Sequence, residues 1–416
     1  MQATQRRLRR DLEANAQFGA LEAVDGHGRT ALTGTDANRD ARKRLVGRFE
    51  DAGLDVTVDA VGTVVGRWTP DSADPSAQPI ATGSHLDSVP RGGIFDGPLG
   101  VYGGLEAVRT LQDADCNLRR PVDVVCFTEE EGGRFGNGLL GSSVATDRID
   151  VEEALSLEDD AGTDLETSLE RIGFRGEGRV DASEWDAWLE LHVEQGRTLE
   201  RREAAVGVVS TISGITHCYL ELSGEANHAG STPMNTRADA LAAASDIVLD
   251  LESAVRRHVE ERSSTAVATV GQLDVSPNAT NVIPGEVRLG VDVRDVTQQS
   301  IETLVATLED SARTVERDRP IEVELVRPYD VAPETMAERC QNALRSASDA
   351  VGVEAVSMHS GAAHDTMTVS RVTDAGLLFA PSVAGVSHNP REWTDWEDCT
   401  TAVTVLAGAL GDLAAT

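Results

Sequence analysis

Lysine is nearly missing from this chain. Lys43 is the only one among 37 basic residues, which face 70 acidic residues for a formal net charge of −33. A surface of that sign repels nucleic acid and anionic membranes, so neither is expected as a partner. Aromatic residues are scarce at 4% of 416 positions, although 40% of the chain is hydrophobic, enough to build cores. No apolar run approaches the length of a membrane span. The N-terminal stretch MQATQRRLRRDLEANAQFGAL has basic residues but no apolar segment after them, which excludes a signal peptide. The five cysteines (Cys116, Cys126, Cys218, Cys340 and Cys399) are far apart and form no C-x-x-C pair. Free thiols in a reducing cytoplasm are the expected reading, not a disulfide framework.

What is present is patterned. The acids are scattered along helix-like segments with no long block of one sign, which argues against disorder. An acidic, lysine-poor globular composition resembles that of halophile proteins, which stay soluble in molar salt. The length implies two domains. Strand-like runs at 79–85, 121–128 and 187–193 alternate with helical spacing at 99–112, where Val101, Leu105, Val108 and Leu111 recur. That alternation predicts an α/β fold with a parallel or mixed sheet covered on both faces. From about 208 the rhythm becomes strand, helix, two strands, helix, strand, with helices over about 236–259 and 298–316. This is the ferredoxin-like order. The expected organisation is therefore a discontinuous first domain, 1–208 and 327–416, with an α+β insert at 209–326; DSADPSAQP (71–79) reads as a loop of disordered character.

In open α/β sheets, ligands bind beyond the carboxyl ends of the strands. GSHLDSVPRGGIFDGPLG (83–100) begins at one such end, and Glu129 to Glu131 and His192 fall at two others. His85, Asp87, Asp96, Glu130, Glu131, His192 and His388 together form a set of imidazoles and carboxylates. Such ligands suit divalent Zn, Mn, Co or Ni, and a carboxylate bridging two ions would give a two-metal hydrolytic site.

The motifs GSHLDSVPRGGIFDGPLGV, TEEEGGRFGN, ELHVEQG, GEANHAGSTPM, NVIPG and GVSHNPREW occur in that order. In these the chain, from about residue 30 to its end, resembles the hydantoinase/carbamoylase amidases of the di-zinc aminoacylase and carboxypeptidase superfamily. The resemblance implies an aminopeptidase-like catalytic domain with an inserted lid or dimerisation domain, two divalent ions per subunit with zinc foremost, and a homodimer. It implies that His85 and His192 bind one ion, Glu131 and His388 the other, and Asp96 both. Glu130 matches the general base and Asp87 a carboxylate orienting His85. Gln195, His228, Asn281 and Arg294 match substrate-binding positions, with Arg294 on the carboxylate and His228, which a partner subunit can supply, also at the reaction centre; Asn227 and Arg237 have ordinary readings as a turn residue and a surface charge.

The implied reaction is hydrolysis of an N-carbamoyl-L-amino acid to amino acid, ammonia and carbon dioxide. Allantoate, another small ureido acid, is the alternative substrate; a dipeptidase or a non-catalytic binding protein fits the motifs less well. Two departures stand out: Ala363 in GAAHD (361–365) replaces an expected glycine, and Pro98 an expected alanine. His364 and Asp365 are expected to shape the pocket or form a structural pair, and His27, His217, His258 and His359 to be structural.

Overall fold

A computed structural model describes residues 1–22, 25–136 and 138–416. They divide into two compact units, Met1–Ser210 with Thr335–Thr416, and Thr211–Glu334.

Among the described residues, the first unit is organised on a mixed nine-stranded sheet. At its centre the strands Val122–Phe127, Ile80–His85, Ala187–Val193 and Asp374–Ala380 lie side by side and parallel. The first three are buried at every position, as expected for strands with helices on both faces. The helix Pro98–Asp113 runs between two of these strands in the chain and is buried along nearly its whole length. Proline stands in its first turn, where its missing N–H costs no hydrogen bond. The register pairs His85 with Phe127, and His192 with Phe379, at the carboxyl ends of these strands.

The second unit is a four-stranded antiparallel sheet, in spatial order Glu322–Val331, Gly214–Ser223, Glu286–Asp295, Val267–Ser276. The helices Ala240–Glu261 and Gln298–Asp318 pack on it through Ile247, Leu251, Ile301, Leu304 and Leu308. The side chain of Asp239 caps the first of these helices by accepting from the Ala242 N–H. Three details differ from the sequence reading. The run near 208–223 is two strands in different sheets: Val206–Ile212 pairs antiparallel with Asp374–Ala380, and Gly214–Ser223 belongs to the second unit. The strand Glu322–Val331 alternates in burial past 326, so the second unit extends to Glu334. The loop at 71–79 is held in turns by Asp74, whose carboxylate accepts from the Ser76 backbone N–H and hydroxyl.

Candidate active site

The carboxyl ends of the parallel strands gather the titratable side chains of the first unit. Asp96 is central. Its Oδ1 lies 3.1 Å from His192 Nε2 and 3.8 Å from His85 Nε2. Its Oδ2 lies 3.2 Å from His388 Nε2, and His388 Nε2 is 3.4 Å from Glu131 Oε2. Two sets of ligand atoms result, His85–Asp96–His192 and Asp96–Glu131–His388, with the atoms of each set all within 4.8 Å of one another. Asp96 belongs to both, with Oδ1 towards His85 and His192 and Oδ2 towards His388.

The chain prepares these side chains for a cation. His192 Nδ1 lies 3.0 Å from the Val193 carbonyl and His85 Nδ1 lies 3.2 Å from the Asp87 carbonyl. Each Nδ1 therefore carries a proton, which leaves Nε2 as the nitrogen that would ligate. His85 Nε2 is buried with no hydrogen-bond partner among the described residues. A buried acceptor facing carboxylate oxygens is satisfied by a positive ion, and imidazole plus carboxylate is a donor set that divalent Zn, Mn, Co or Ni accepts.

Glu130 lies beside this pair, its Oε2 3.5 Å from His85 Nε2. Burial pushes its carboxyl well above the usual range, and the charges of Glu131, Asp365, Asp96 and Asp87 add to the effect. Glu131 is raised in the same way, by burial and then by Asp96 and Asp87. Burial lowers His85 to about 4. For His192 burial acts downward, but the hydrogen bond and charge of Asp96 outweigh it and raise the imidazole to about 9. Buried Arg29 faces Asp87, Asp96 and Glu131, and two divalent cations would add further positive charge to so dense a group of acids.

Backbone geometry is equally committed. Glu129, Gln195 and His388 are non-glycine residues in the left-handed region, at φ +56°, +58° and +51°. Such conformations persist where the surroundings enforce them, and they gather at functional sites. Gly97, at φ +79°, would bring a Cβ within 2.5 Å of the His85 ring. Only glycine allows the chain to turn there from Asp96 into the helix.

Other expected residues sit differently. The Asp87 carboxylate is 3.7 Å from His85 Nδ1, farther than its own carbonyl, and it accepts from the backbone N–H groups of Glu130 and Glu131 at 3.4 and 3.1 Å. It thus aligns the Glu130–Glu131 backbone more directly than the His85 ring. Gln195 Nε2 donates to Asp96 Oδ2 at 3.1 Å and to Ser387 Oγ at 3.2 Å. His364 packs edge-on against His192, 4.5 Å between ring centres, with Nε2 3.0 Å from Ser360 Oγ.

His228, Asn281 and Arg294 belong to the second unit. His228 is exposed, and its Nδ1 accepts from the Gly230 and Ser231 N–H groups at 3.0 and 3.2 Å, leaving Nε2 as the protonated nitrogen. The Asn281 carbonyl accepts from the Ala229 N–H at 2.9 Å. Arg294 makes a two-nitrogen contact with Asp292, which also lies 3.1 Å from His217 Nε2. The Arg237 side chain donates to the carbonyls of Ala229 and Thr232 in the loop that carries His228.

The sequence pattern of peptidase family M20/M25/M40 matches residues 81–412. A crystal structure of a hydantoinase/carbamoylase family amidase from Burkholderia multivorans superposes with a TM-score of 0.92 at 34% identity, covering 100% of this chain and 99% of that one. The chain is a hydantoinase/carbamoylase member of the M20 family. It is thereby a hydrolase acting on C–N bonds. The N-carbamoyl-L-amino acid amidohydrolase of Geobacillus stearothermophilus is 36% identical over 402 residues, 96% of each chain. The allantoate amidohydrolase of Bacillus subtilis is 33% identical over 409 residues, 97% of this chain and 96% of its own. Two residues of this M20 site escaped the sequence reading. Ser387 and Glu392 lie inside the GVSHNPREW motif, but only the fold reveals that they reach Asp96 and its backbone.

Proposed function

We propose that the chain hydrolyses the ureido C–N bond of N-carbamoyl-L-amino acids, giving the amino acid, ammonia and carbon dioxide. The observation that carries this reading is Asp96, whose two oxygens face His192 and His388 separately, with Glu130 beside them. His85, Asp96 and His192 would hold one divalent ion, and Asp96, Glu131 and His388 a second. Zinc fits this donor set first; manganese, cobalt and nickel also suit it. When bound, the two ions supply Lewis acidity at a carbonyl that resonance otherwise protects.

The chain's own residues do the rest. Glu130 takes a proton from the attacking water and returns it to the departing amine. Its burial favours the protonated form, which assists the first of these transfers, the uptake of the proton from water. Asp87 fixes the backbone of Glu130 and Glu131. His228, with Nε2 protonated, is suited to donate to the ureido oxygen, and Asn281 supports its loop. Arg294 recognises the substrate carboxylate, with Asp292 holding its guanidinium in orientation. Gln195, which donates to Asp96 Oδ2, stands beside the proposed ions, where it would meet the substrate.

We infer a homodimer through the inserted unit, a reading that the edge strand Val267–Ser276 supports. Among the described residues it pairs on one side only, and it exposes Val267 and Leu273. Among the described residues no helix is long and apolar enough to cross a membrane. A cytoplasmic enzyme working in concentrated salt, without nucleic-acid or membrane partners, accounts for the net charge of −33.

Allantoate is the second reading, favoured by the Bacillus subtilis relative and by the carboxylate and ureido groups the two substrates share. Ammonia release after metal reconstitution, measured in high salt on an N-carbamoyl-L-amino acid panel and on allantoate, separates the two. Turnover of the panel is the expected result. Turnover of allantoate alone would keep the site and replace the substrate.

A further inference from the structure

Glu392, four residues after His388, is buried to 1% exposure, yet it is an acid. Its Oε1 accepts from the backbone N–H groups of Phe95 and Asp96, at 3.0 Å each. Its Oε2 lies 2.9 Å from Ser387 Oγ. One carboxylate thus ties the loop that presents Asp96 to the loop that presents His388, across nearly 300 residues of chain.

Ser387 extends the link. Its hydroxyl stands 2.9 Å from Glu392 and 3.1 Å from Asp96 Oδ2, and it accepts from Gln195 Nε2 at 3.2 Å. A hydroxyl has one proton, so it can serve only one of the two carboxylates. Glu392 is the nearer, and giving it that proton leaves Asp96 Oδ2 available to a cation. Gly93 completes the arrangement. A Cβ there would lie 2.1 Å from Glu392 Oε1 and 2.6 Å from its Cβ, so the glycine makes room for the carboxylate.

We propose that Glu392 is a positioning residue that holds Asp96 and His388 at the spacing the second divalent ion requires. The proposal rests on the two-ion reading of the site. His388 is the one proposed ligand on a strained, largely exposed loop, with 52% of its side chain accessible. Among the described residues Glu392 supplies the hydrogen bonds from that loop to the Phe95–Asp96 backbone, beside the packing of Phe95 on Trp393, whereas His85 and His192 stay fixed in buried strands. The ion shared by Asp96, Glu131 and His388 should therefore suffer more than the other.

The test measures cobalt binding at buffered free metal, together with kcat and KM, on the full-length enzyme in high salt. Wild type should bind two ions per chain. In Glu392→Ala, one ion should stay tight while the second weakens by about 10- to 100-fold, the usual effect of losing a residue that orients a ligand. kcat should fall with KM little changed, and excess cobalt should restore it. Glu392→Gln should fall between wild type and alanine, because its amide oxygen can still accept from both N–H groups while its nitrogen, donating to Ser387, turns the Ser387 proton towards Asp96. Glu392→Asp, one methylene too short to reach both loops, should lose the second ion as alanine does, and it decides the matter if the alanine variant does not fold. Gly93→Ala should reproduce the defect by expelling the carboxylate. Two tightly bound ions in Glu392→Asp or Glu392→Ala would overturn the role of Glu392 alone. Fewer than two ions on wild type would overturn the two-ion reading and this proposal with it.

Discussion

The two sheets of this chain solve different problems. In the nine-stranded sheet the central strands Ile80–His85, Val122–Phe127 and Ala187–Val193 are buried at every position. In the four-stranded sheet the strand Glu322–Val331 alternates between exposed and half-buried residues. In a sheet hidden on both faces the carboxyl ends of the central strands are themselves buried, so His85, Asp96 and His192 are shielded from water. Burial is what drives Glu130 and Glu131 away from their ordinary ionisation and creates a need for cations. The half-open sheet leaves Arg294 and the loop of His228 within reach of solvent, where recognition of a charged substrate costs less desolvation. In the proposed reaction the first unit would hold the ions and the proton carrier Glu130, and the second would supply the carboxylate recognition and the His228 donor.

The largest expected break in that division is at Glu130. Glu130→Gln should lower kcat by about 10²- to 10⁴-fold while both ions remain bound, measured by steady-state kinetics beside elemental analysis. Unchanged kcat would remove Glu130 from proton transfer. Next comes the buried sheet itself. Leu189→Ala, at a fully buried position, should cost about 2–5 kcal/mol in denaturant unfolding of the metal-loaded enzyme. On the recognition side, Arg294→Ala should raise KM for carboxylate substrates by roughly 10- to 100-fold, the worth of about 1.5–3 kcal/mol for hydrogen bonds to a charged group, with kcat much less affected.

A smaller effect concerns pH. In the ion-free protein His192 is raised to about 9, and Glu129 and Glu392 to about 7 by burial and by neighbouring Asp87 and Asp96 respectively. At pH 7 the His192 ring therefore holds a proton that ligation must expel. Metal binding should release protons, and affinity should rise with pH towards about 9, by roughly tenfold per pH unit for each proton displaced. Calorimetry in two buffers of different ionisation enthalpy measures this, and proton uptake would contradict the assignment. The smallest change is expected at the exposed edge. Leu273→Ala should shift the unfolding free energy of the subunit by no more than about 0.5 kcal/mol.

Much of this was legible in the sequence because the relevant signals are local. The runs at 79–85, 121–128 and 187–193 are continuous and apolar, so the strands and their carboxyl ends could be placed from periodicity alone. The candidate ligands then fell at those ends, inside motifs whose order matched a family. The partners of Asp87 were not legible, since its carboxylate accepts from amides 43 and 44 positions away. Glu392 was hidden for the same reason: beside the conspicuous His388 it reads as one more acid in an acidic chain, and its partners lie 296 and 297 positions upstream. The tasks of the glycines in 83–100 were hidden as well: Gly97 faces the His85 ring, and Gly93 makes space for Glu392.

The measurement that bears most directly on the function is ammonia release from N-carbamoyl-L-amino acids in molar salt, before chelation, after chelation and after readdition of zinc or manganese. The expected result is turnover that disappears with the ions and returns with them, in proportion to occupancy up to two per chain. Turnover that persists in thoroughly metal-free protein, or its absence from protein holding two ions, would contradict a two-ion ureido hydrolase centred on Asp96.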